Sequence, residues 1–144
     1  MTRTEQPLVL DDQLCFALYA ASRAMTARYR PMLDELGLTY PQYLVLVVLW
    51  DEGESTVSTL GRRLRLDSGT LSPLLKRLER AGLITRSRGT DDERSVRVQV
   101  TPAGRSLRDR AAAIPPVIRD AFTDLDDTRL IGELRALEQA LREN

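Results

Sequence analysis

Apolar positions recur at helical spacing near both ends of the 144-residue chain and alternate like a strand late in its middle third. From about Gln13 to Leu36 the pattern predicts a helix, with Asp11 or Asp12 as its cap and Gly37 as its stop. Pro31 falls inside that run and predicts a kink or break near Tyr29–Arg30. Thr39-Tyr40-Pro41 starts a second helix, which runs to about Glu52 and stops at Gly53. Its centre, LVLVVLW, is apolar on every side, which predicts a buried helix.

The next segments are shorter. Ser55 is the expected cap of a helix from Thr56 to about Leu64, and Arg65-Leu66 then makes a tight turn. Asp67-Ser68 caps a further helix ending at Gly82, on which Leu71, Leu74, Leu75 and Leu78 form one apolar stripe. The opposite face carries Ser68, Thr70, Ser72 and Pro73, then Lys76, Arg77 and Arg80. Two short helices about a tight turn, the second with an apolar back and a polar, basic front, predict a helix-turn-helix. LITRSRG and RSVRVQV follow as a hairpin, because Val96, Val98 and Val100 alternate with Arg97 and Gln99. Arg86, Arg88 and Arg94 flank its tip, which makes the hairpin a wing.

Thr101-Pro102 opens a helix to about Ile114, Pro115-Pro116 breaks or kinks it, and Leu125–Arg142 forms the last helix. In that last helix Leu130, Leu134, Leu137 and Leu141 make an apolar stripe. The expected fold is therefore mainly α with a small β-hairpin wing. A winged helix-turn-helix at about 55–101 is flanked by helices at about 10–52 and 102–144, all within one domain, 1–144. The surplus apolar faces of the flanking helices predict a homodimer; closure of those faces on the helix-turn-helix in a monomer is the alternative.

Composition narrows the chemistry. With no His and one Cys, intrachain disulfides, Cys/His zinc sites and His-dependent triads are excluded, and no metal or cofactor is expected. The longest apolar run, Tyr43 to Trp50, is eight residues, and the N-terminus has no basic-then-apolar signal, so a cytoplasmic protein without membrane association is expected. The 21 basic and 21 acidic side chains cancel, but they are segregated. Residues 1–54 carry a net −4, residues 55–100 a net +5, and residues 101–144 a net −1. A basic centre that coincides with a winged helix-turn-helix predicts double-stranded DNA as a partner. Small residues (Ser68, Gly69, Thr70, Ser72) allow the second helix to approach closely, and backbone N–H groups at its start can bind a phosphate. Lys76 and Arg77 can reach phosphates or guanine edges, and Arg94 can enter the minor groove.

The run LDSGTLSPLLKRLERAGLITR followed by DERSVRVQVTPAG, within Leu64–Gly104, resembles the MarR family of winged-helix repressors. The resemblance joins the recognition helix, the wing Asp92-x-Arg94 with Asp92 as its support, and the exit turn Thr101-x-x-Gly104. It implies a homodimer on a pseudo-palindromic operator, with one recognition helix per half-site. Release by a non-covalent small-molecule ligand is the ordinary expectation for such a repressor.

Cys15 changes that expectation. It lies in the first turns of the first helix, where the helix dipole favours a thiolate. Cys15, Tyr19, Ser22, Thr26 and Tyr29 share one stripe at spacings of 4, 3, 4 and 3, too polar for ordinary core. Phenols can donate to a thiolate and help hold it ionised. Tyr19 is one turn away, but Tyr29 is roughly 21 Å along a straight helix. Any Cys15 that Tyr29 touches must belong to a second chain. Phe16, with Leu14 and Leu18, provides apolar surroundings suited to organic peroxides.

The segment DQLCFALYAASRAMTARYRPMLDELGLTYPQYLVLVVLW resembles the organic-hydroperoxide sensors of the MarR family, the OhrR branch. The resemblance matches the reactive cysteine to Cys15 and the tyrosines around it to Tyr19, Tyr29 and Tyr40. It covers about residues 10–110. Lacking a second cysteine, the chain resembles the one-Cys type, in which a small thiol caps the sulfenate or the cysteine is overoxidised. It implies a repressor released from its operator when organic hydroperoxide oxidises Cys15. A one-Cys thiol peroxidase is a further alternative, but no Arg or Thr adjoins Cys15 in sequence and the basic wing would have no role.

Overall fold

The computed structural model describes residues 8–88 and 95–143. The chain divides into two compact units, Met1–Ile114 and Pro115–Asn144.

In the first unit, helix α1 (Leu14–Leu36) follows a single 3-10 turn at Leu10–Asp12. Asp11 and Asp12 therefore do not cap it. They lie inside that turn, and Gln13 holds the cap position without a side-chain capping bond, its amide donating back to Val9 carbonyl oxygen instead. Helix α1 passes through Pro31 without a break. The ring removes one rung of the ladder, while burial of Leu33 and Leu38 anchors this end of the helix. The stop is at Gly37, whose φ of 71° lets Leu38 N–H return to Leu33 carbonyl oxygen at 3.0 Å.

Helix α2 (Tyr40–Glu52) starts with a capping box: Gln42 N–H donates to Thr39 Oγ1, and Thr39 N–H to Gln42 Oε1. As its sequence predicts, it is the buried element, with Tyr43, Val45, Leu46, Val48 and Leu49 out of solvent. It packs against α1, against helices α3 (Val57–Leu64), α4 (Ser68–Arg80) and α5 (Pro102–Ala111), and against strand β3 (Val96–Val100).

Ser55 does not cap α3. Ser55–Thr56 is a two-residue strand, β1, paired with β3 through Ser55–Val98 and Thr56–Arg97, and Thr56 is the cap. Pairing with a strand some forty residues away decides this, which local sequence does not reveal. Strand β2 (Ile84–Arg88) pairs with the other edge of β3, from Ile84–Val100 to Arg88–Val96, giving the antiparallel order β1-β3-β2. The hairpin expectation holds, with a third strand added. Between α3 and α4, Arg65 adopts a left-handed conformation (φ 55°), and Leu66 N–H bonds Gly61 carbonyl oxygen at 2.9 Å. Leu60, Leu71, Leu75, Leu78, Ile84 and Val98 form the core under helix-turn-helix and sheet.

The exit from β3 is tightly built. Thr101 caps α5, and its hydroxyl donates to Gly82 carbonyl oxygen. Gly104 is buried there; a Cβ on it would overlap Leu83 carbonyl oxygen and come within 2.6 Å of Val100 Cγ2. Its carbonyl accepts Trp50 Nε1–H at 3.1 Å, so the end of α2, the turn after α4 and the start of α5 are bound together.

Helix α6 (Ile114–Arg119) starts at the last residue of the first unit, so Pro115-Pro116 stands in a new helical turn. In the second unit, α7 (Asp127–Glu143) carries ion pairs Arg129–Glu133 and Arg142–Glu138, while Leu130, Ile131, Leu134 and Leu141 are exposed.

Gly104→Ala is expected to lower the unfolding free energy by about 1–3 kcal/mol or more, the range for overpacking a filled site. Urea denaturation followed by circular dichroism measures this; an unchanged midpoint and slope would show that the exit turn tolerates a methyl group.

Candidate redox centre and nucleic-acid interface

Cys15 is exposed in the first turn of α1, among side chains that are also exposed: Leu14, Phe16 and, one turn on, Tyr19. Arg23 lies over the Tyr19 ring, 5.3 Å from its centroid. The polar stripe is thus present, but it is not uniform. Thr26 Oγ1 donates back to Ser22 and Arg23 carbonyl oxygens of its own helix, so its proton is already used.

At the far end of the stripe stands an aromatic cluster. The Tyr29 ring meets Tyr40 edge-on at 5.1 Å and Tyr43 at 5.9 Å, and Tyr40 and Tyr43 are 6.0 Å apart. Tyr29 and Tyr40 thus come together from α1 and α2, and the structure adds Tyr43, the first residue of the long apolar run. The spacing of Tyr40 and Tyr43, three residues apart on one helix, was the available signal. Both phenols are pushed above the usual tyrosine value, first by burial and then by Tyr29; for Tyr43, which Tyr40 also crowds, the rise is to about 12. They remain O–H donors at neutral pH. Beside them is a cleft of about 280 Å³, whose lining includes Thr26, Arg30, Leu33, Thr39 and Tyr40.

Helix α4 presents its polar face outward. Ser68, Gly69, Thr70, Pro73, Lys76 and Arg77 are exposed, Ser72 is half-buried, and the leucine stripe is buried behind them. The helix N-terminus is already occupied: Asp67 Oδ1 accepts Thr70 N–H at 2.8 Å. That bond, with a second from the Thr70 hydroxyl and a lesser one from Gly69 N–H, holds the Asp67 carboxyl below its usual range. The capping carboxylate, not an incoming phosphate, takes these N–H groups, which leaves side chains to face a ligand. On the wing, Arg88 is exposed, while Arg86 is half-buried and paired with Glu79 at 3.1 Å. Asp92 and Arg94 lie outside the described residues. Among the described residues no cluster of His, Cys, Asp or Glu could hold a metal ion, and no helix is long and apolar enough to cross a membrane.

Helix, turn, capped helix and three-stranded wing, with the basic face outward, define a winged-helix transcriptional regulator. Residues 38–96 match the model of the MarR family. The organic hydroperoxide resistance transcriptional regulator of Bacillus subtilis is 54% identical over 109 residues, 76% of this chain and 74% of that protein. Two solved structures of AbfR, from Staphylococcus epidermidis, are similar over 93% of both chains. The reduced protein bound to DNA gives a TM-score of 0.80 at 39% identity, and the overoxidized protein bound to DNA 0.77 at 37%. The chain belongs to the MarR family, and its relatives are transcriptional regulators rather than enzymes.

The Tyr43 phenol carries a pH signature. The unfolded chain ionises this group near 10.0, whereas the fold holds its proton to about 12. Its contribution to stability is complete below pH 10.0 and is lost as pH rises towards 12. Thermal midpoints measured across that interval should fall, and should fall less steeply for Tyr43→Phe; equal slopes would remove Tyr43 as a source.

Proposed function

We propose that this protein is a thiol-based repressor whose reduced homodimer holds a pseudo-palindromic operator and lets go when organic hydroperoxide oxidises Cys15. The observation that carries the reading is the position of the only cysteine, exposed on α1 and far along that helix from its own tyrosine cluster. Leu14, Phe16 and Met25 stand in solvent on the same length of α1, and Leu130, Leu134 and Leu141 of the α7 stripe are exposed too. A second copy covers these faces. With the two α1 helices antiparallel across a two-fold axis, the partner's Cys15 meets Tyr29 and Tyr40 of this chain.

The chemistry needs no cofactor or metal. The Cys15 thiolate attacks one peroxide oxygen, the O–O bond breaks, and the alkoxide leaves with a proton as alcohol, giving a sulfenic acid. A small thiol then condenses with the sulfenic acid, forming a mixed disulfide and releasing water. Neutral phenols hydrogen-bond the thiolate before attack and the leaving oxygen during it. The mixed disulfide adds bulk inside the dimer and biases it away from the spacing of about 34 Å that two half-sites require. The AbfR precedent, overoxidized yet bound to DNA, favours the capped form over the overoxidised one as the releasing species.

Helix α4 enters the major groove with Ser68, Gly69, Thr70, Ser72 and Pro73 close to base edges. Lys76 and Arg77 follow, and Arg88 of the wing lies along the backbone; a minor-groove contact by Arg94 is part of the same reading and rests on the sequence alone. The protein works in the cytoplasm, where its DNA is. A second reading, release by a non-covalent ligand, is favoured by the cleft beside Tyr40, which has room for a small aromatic molecule and is lined by both Arg30 and Asp34.

A gel shift decides between them. Cys15→Ser should bind the operator as the wild type does and remain bound in cumene hydroperoxide, whereas wild type with a small thiol is released. Release of the Cys15→Ser variant by peroxide would overturn the Cys15 mechanism. Release of both proteins by a phenolate, with no mass added to either, would establish the second reading.

A further inference from the structure

One arginine of the wing faces inward. Residues directly opposite on antiparallel strands point to the same face of the sheet. Arg86 stands opposite Val98, which is fully buried, and two residues from Ile84, which is buried as well. Its side chain therefore leaves the sheet on the side of the core, and Thr85 and Ser87 take the other face. There Arg86 Nε donates to Glu79 Oε2 at 3.4 Å and its terminal nitrogen to Oε1 at 3.1 Å. One edge of the guanidinium meets both oxygens of one carboxylate, a fork geometry that fixes orientation as well as distance.

The location gives the pair its role. Glu79 is in the last turn of α4 and Arg86 in the middle of β2, so the pair spans the corner at Ala81–Leu83 between recognition helix and wing. The corner backbone is bonded to α4 through Gly82 N–H on Glu79 and Leu83 N–H on Leu78 carbonyl oxygens, and to Thr101 through Gly82 and Leu83 carbonyl oxygens, while the Glu79–Arg86 pair is the side-chain link from α4 to β2. Lys76 and Arg77, by contrast, are exposed on α4 and belong to no ion pair among the described residues. The Glu79 carboxyl is held below its usual range, the bond from Arg86 being the largest cause.

We propose that Glu79 and Arg86 are positioning residues for DNA binding: they set the angle of the wing against the recognition helix, and Arg86 does not neutralise a phosphate. The proposal rests on the DNA-facing role of α4 given above. It separates two arginines on the same face of one strand: Arg86, beside the core and paired with Glu79, and Arg88, exposed farther along towards the tip.

Salt dependence distinguishes a strut from a phosphate contact, because only a phosphate contact releases counterions. The probe is a duplex selected by the wild-type protein from a random-sequence pool, titrated at several KCl concentrations. Arg86→Ala and Glu79→Ala should each weaken binding about two- to fivefold, the scale of a partly exposed ion pair, with the salt slope unchanged. The swapped variant Glu79→Arg/Arg86→Glu should recover most of the loss, and thermal melts of all three should match the wild type within a few degrees. A slope shallower by about one for Arg86→Ala would overturn the proposal, since that is the mark of a lost phosphate contact. Tighter binding by Glu79→Ala, which a freed phosphate-seeking arginine predicts, would also overturn it, as would a swap no better than either single variant. Lys76→Ala reports on the underlying reading: an unchanged slope there would remove α4 from the DNA and the proposal with it.

Discussion

A straight helix keeps its ends apart, and the candidate redox site depends on that. Helix α1 runs unbroken from Leu14 to Leu36, with Cys15 in its first turn and Tyr29 about four turns later. At 1.5 Å per residue the two are roughly 21 Å apart, too far for any side chain to bridge. Tyr29 in turn is held against Tyr40 and Tyr43 at the junction with α2. Thiol and phenols therefore meet only if two chains lie antiparallel. On the proposed mechanism, dimerisation and peroxide sensing are one structural requirement, since a monomer has both halves of the site and no complete site.

Helix α2 links the tyrosine cluster of the candidate site to the winged helix-turn-helix proposed to bind DNA. Tyr40 and Tyr43 stand in its first turn and Trp50 near its last, with a buried apolar rod between them. Trp50 is bonded to Gly104, and that turn is pinned by Thr101 to the residues linking α4 to β2. A displacement of the tyrosine end has few soft places in which to dissipate before it reaches the recognition helix. On the proposed mechanism, a modification shifts the dimer's equilibrium only by as much as it discriminates between the arrangement that holds DNA and the one that does not. A bulky adduct in a packed interface discriminates by volume, which a single added oxygen does far less.

Much of this was legible in the sequence, for local reasons. The capped start of α2 at Thr39, the Asp67 cap, the leucine stripe of α4 and the alternating valines of β3 each follow from residue type and spacing. What was not legible came from partners distant in sequence. Ser55 has the chemistry of a cap, but pairing with Val98 makes it a strand residue. Asp11 and Asp12 also suit a cap, yet the chain turns once before α1 begins. Arg86 reads as one more basic residue of the wing until the strand register turns it towards the core. Tyr43 was concealed by the apolar run it opens, because a phenol on a buried helix reads as core until its neighbours are known.

The claim that each redox site is shared between two subunits is tested most directly with mixed dimers. Cys15→Ser chains and Tyr29→Phe/Tyr40→Phe chains, each poorly reactive alone, are combined and the mixed dimer isolated by two affinity tags. Intact mass is then followed after stoichiometric organic hydroperoxide with a small thiol present. In a shared site, the mixed dimer contains one Cys15 facing intact tyrosines from the other chain. Half of the wild-type thiol adduct should therefore form at the wild-type rate. If the tyrosines serve the cysteine of their own chain, no rapid adduct appears in the mixed dimer, and the shared site is contradicted.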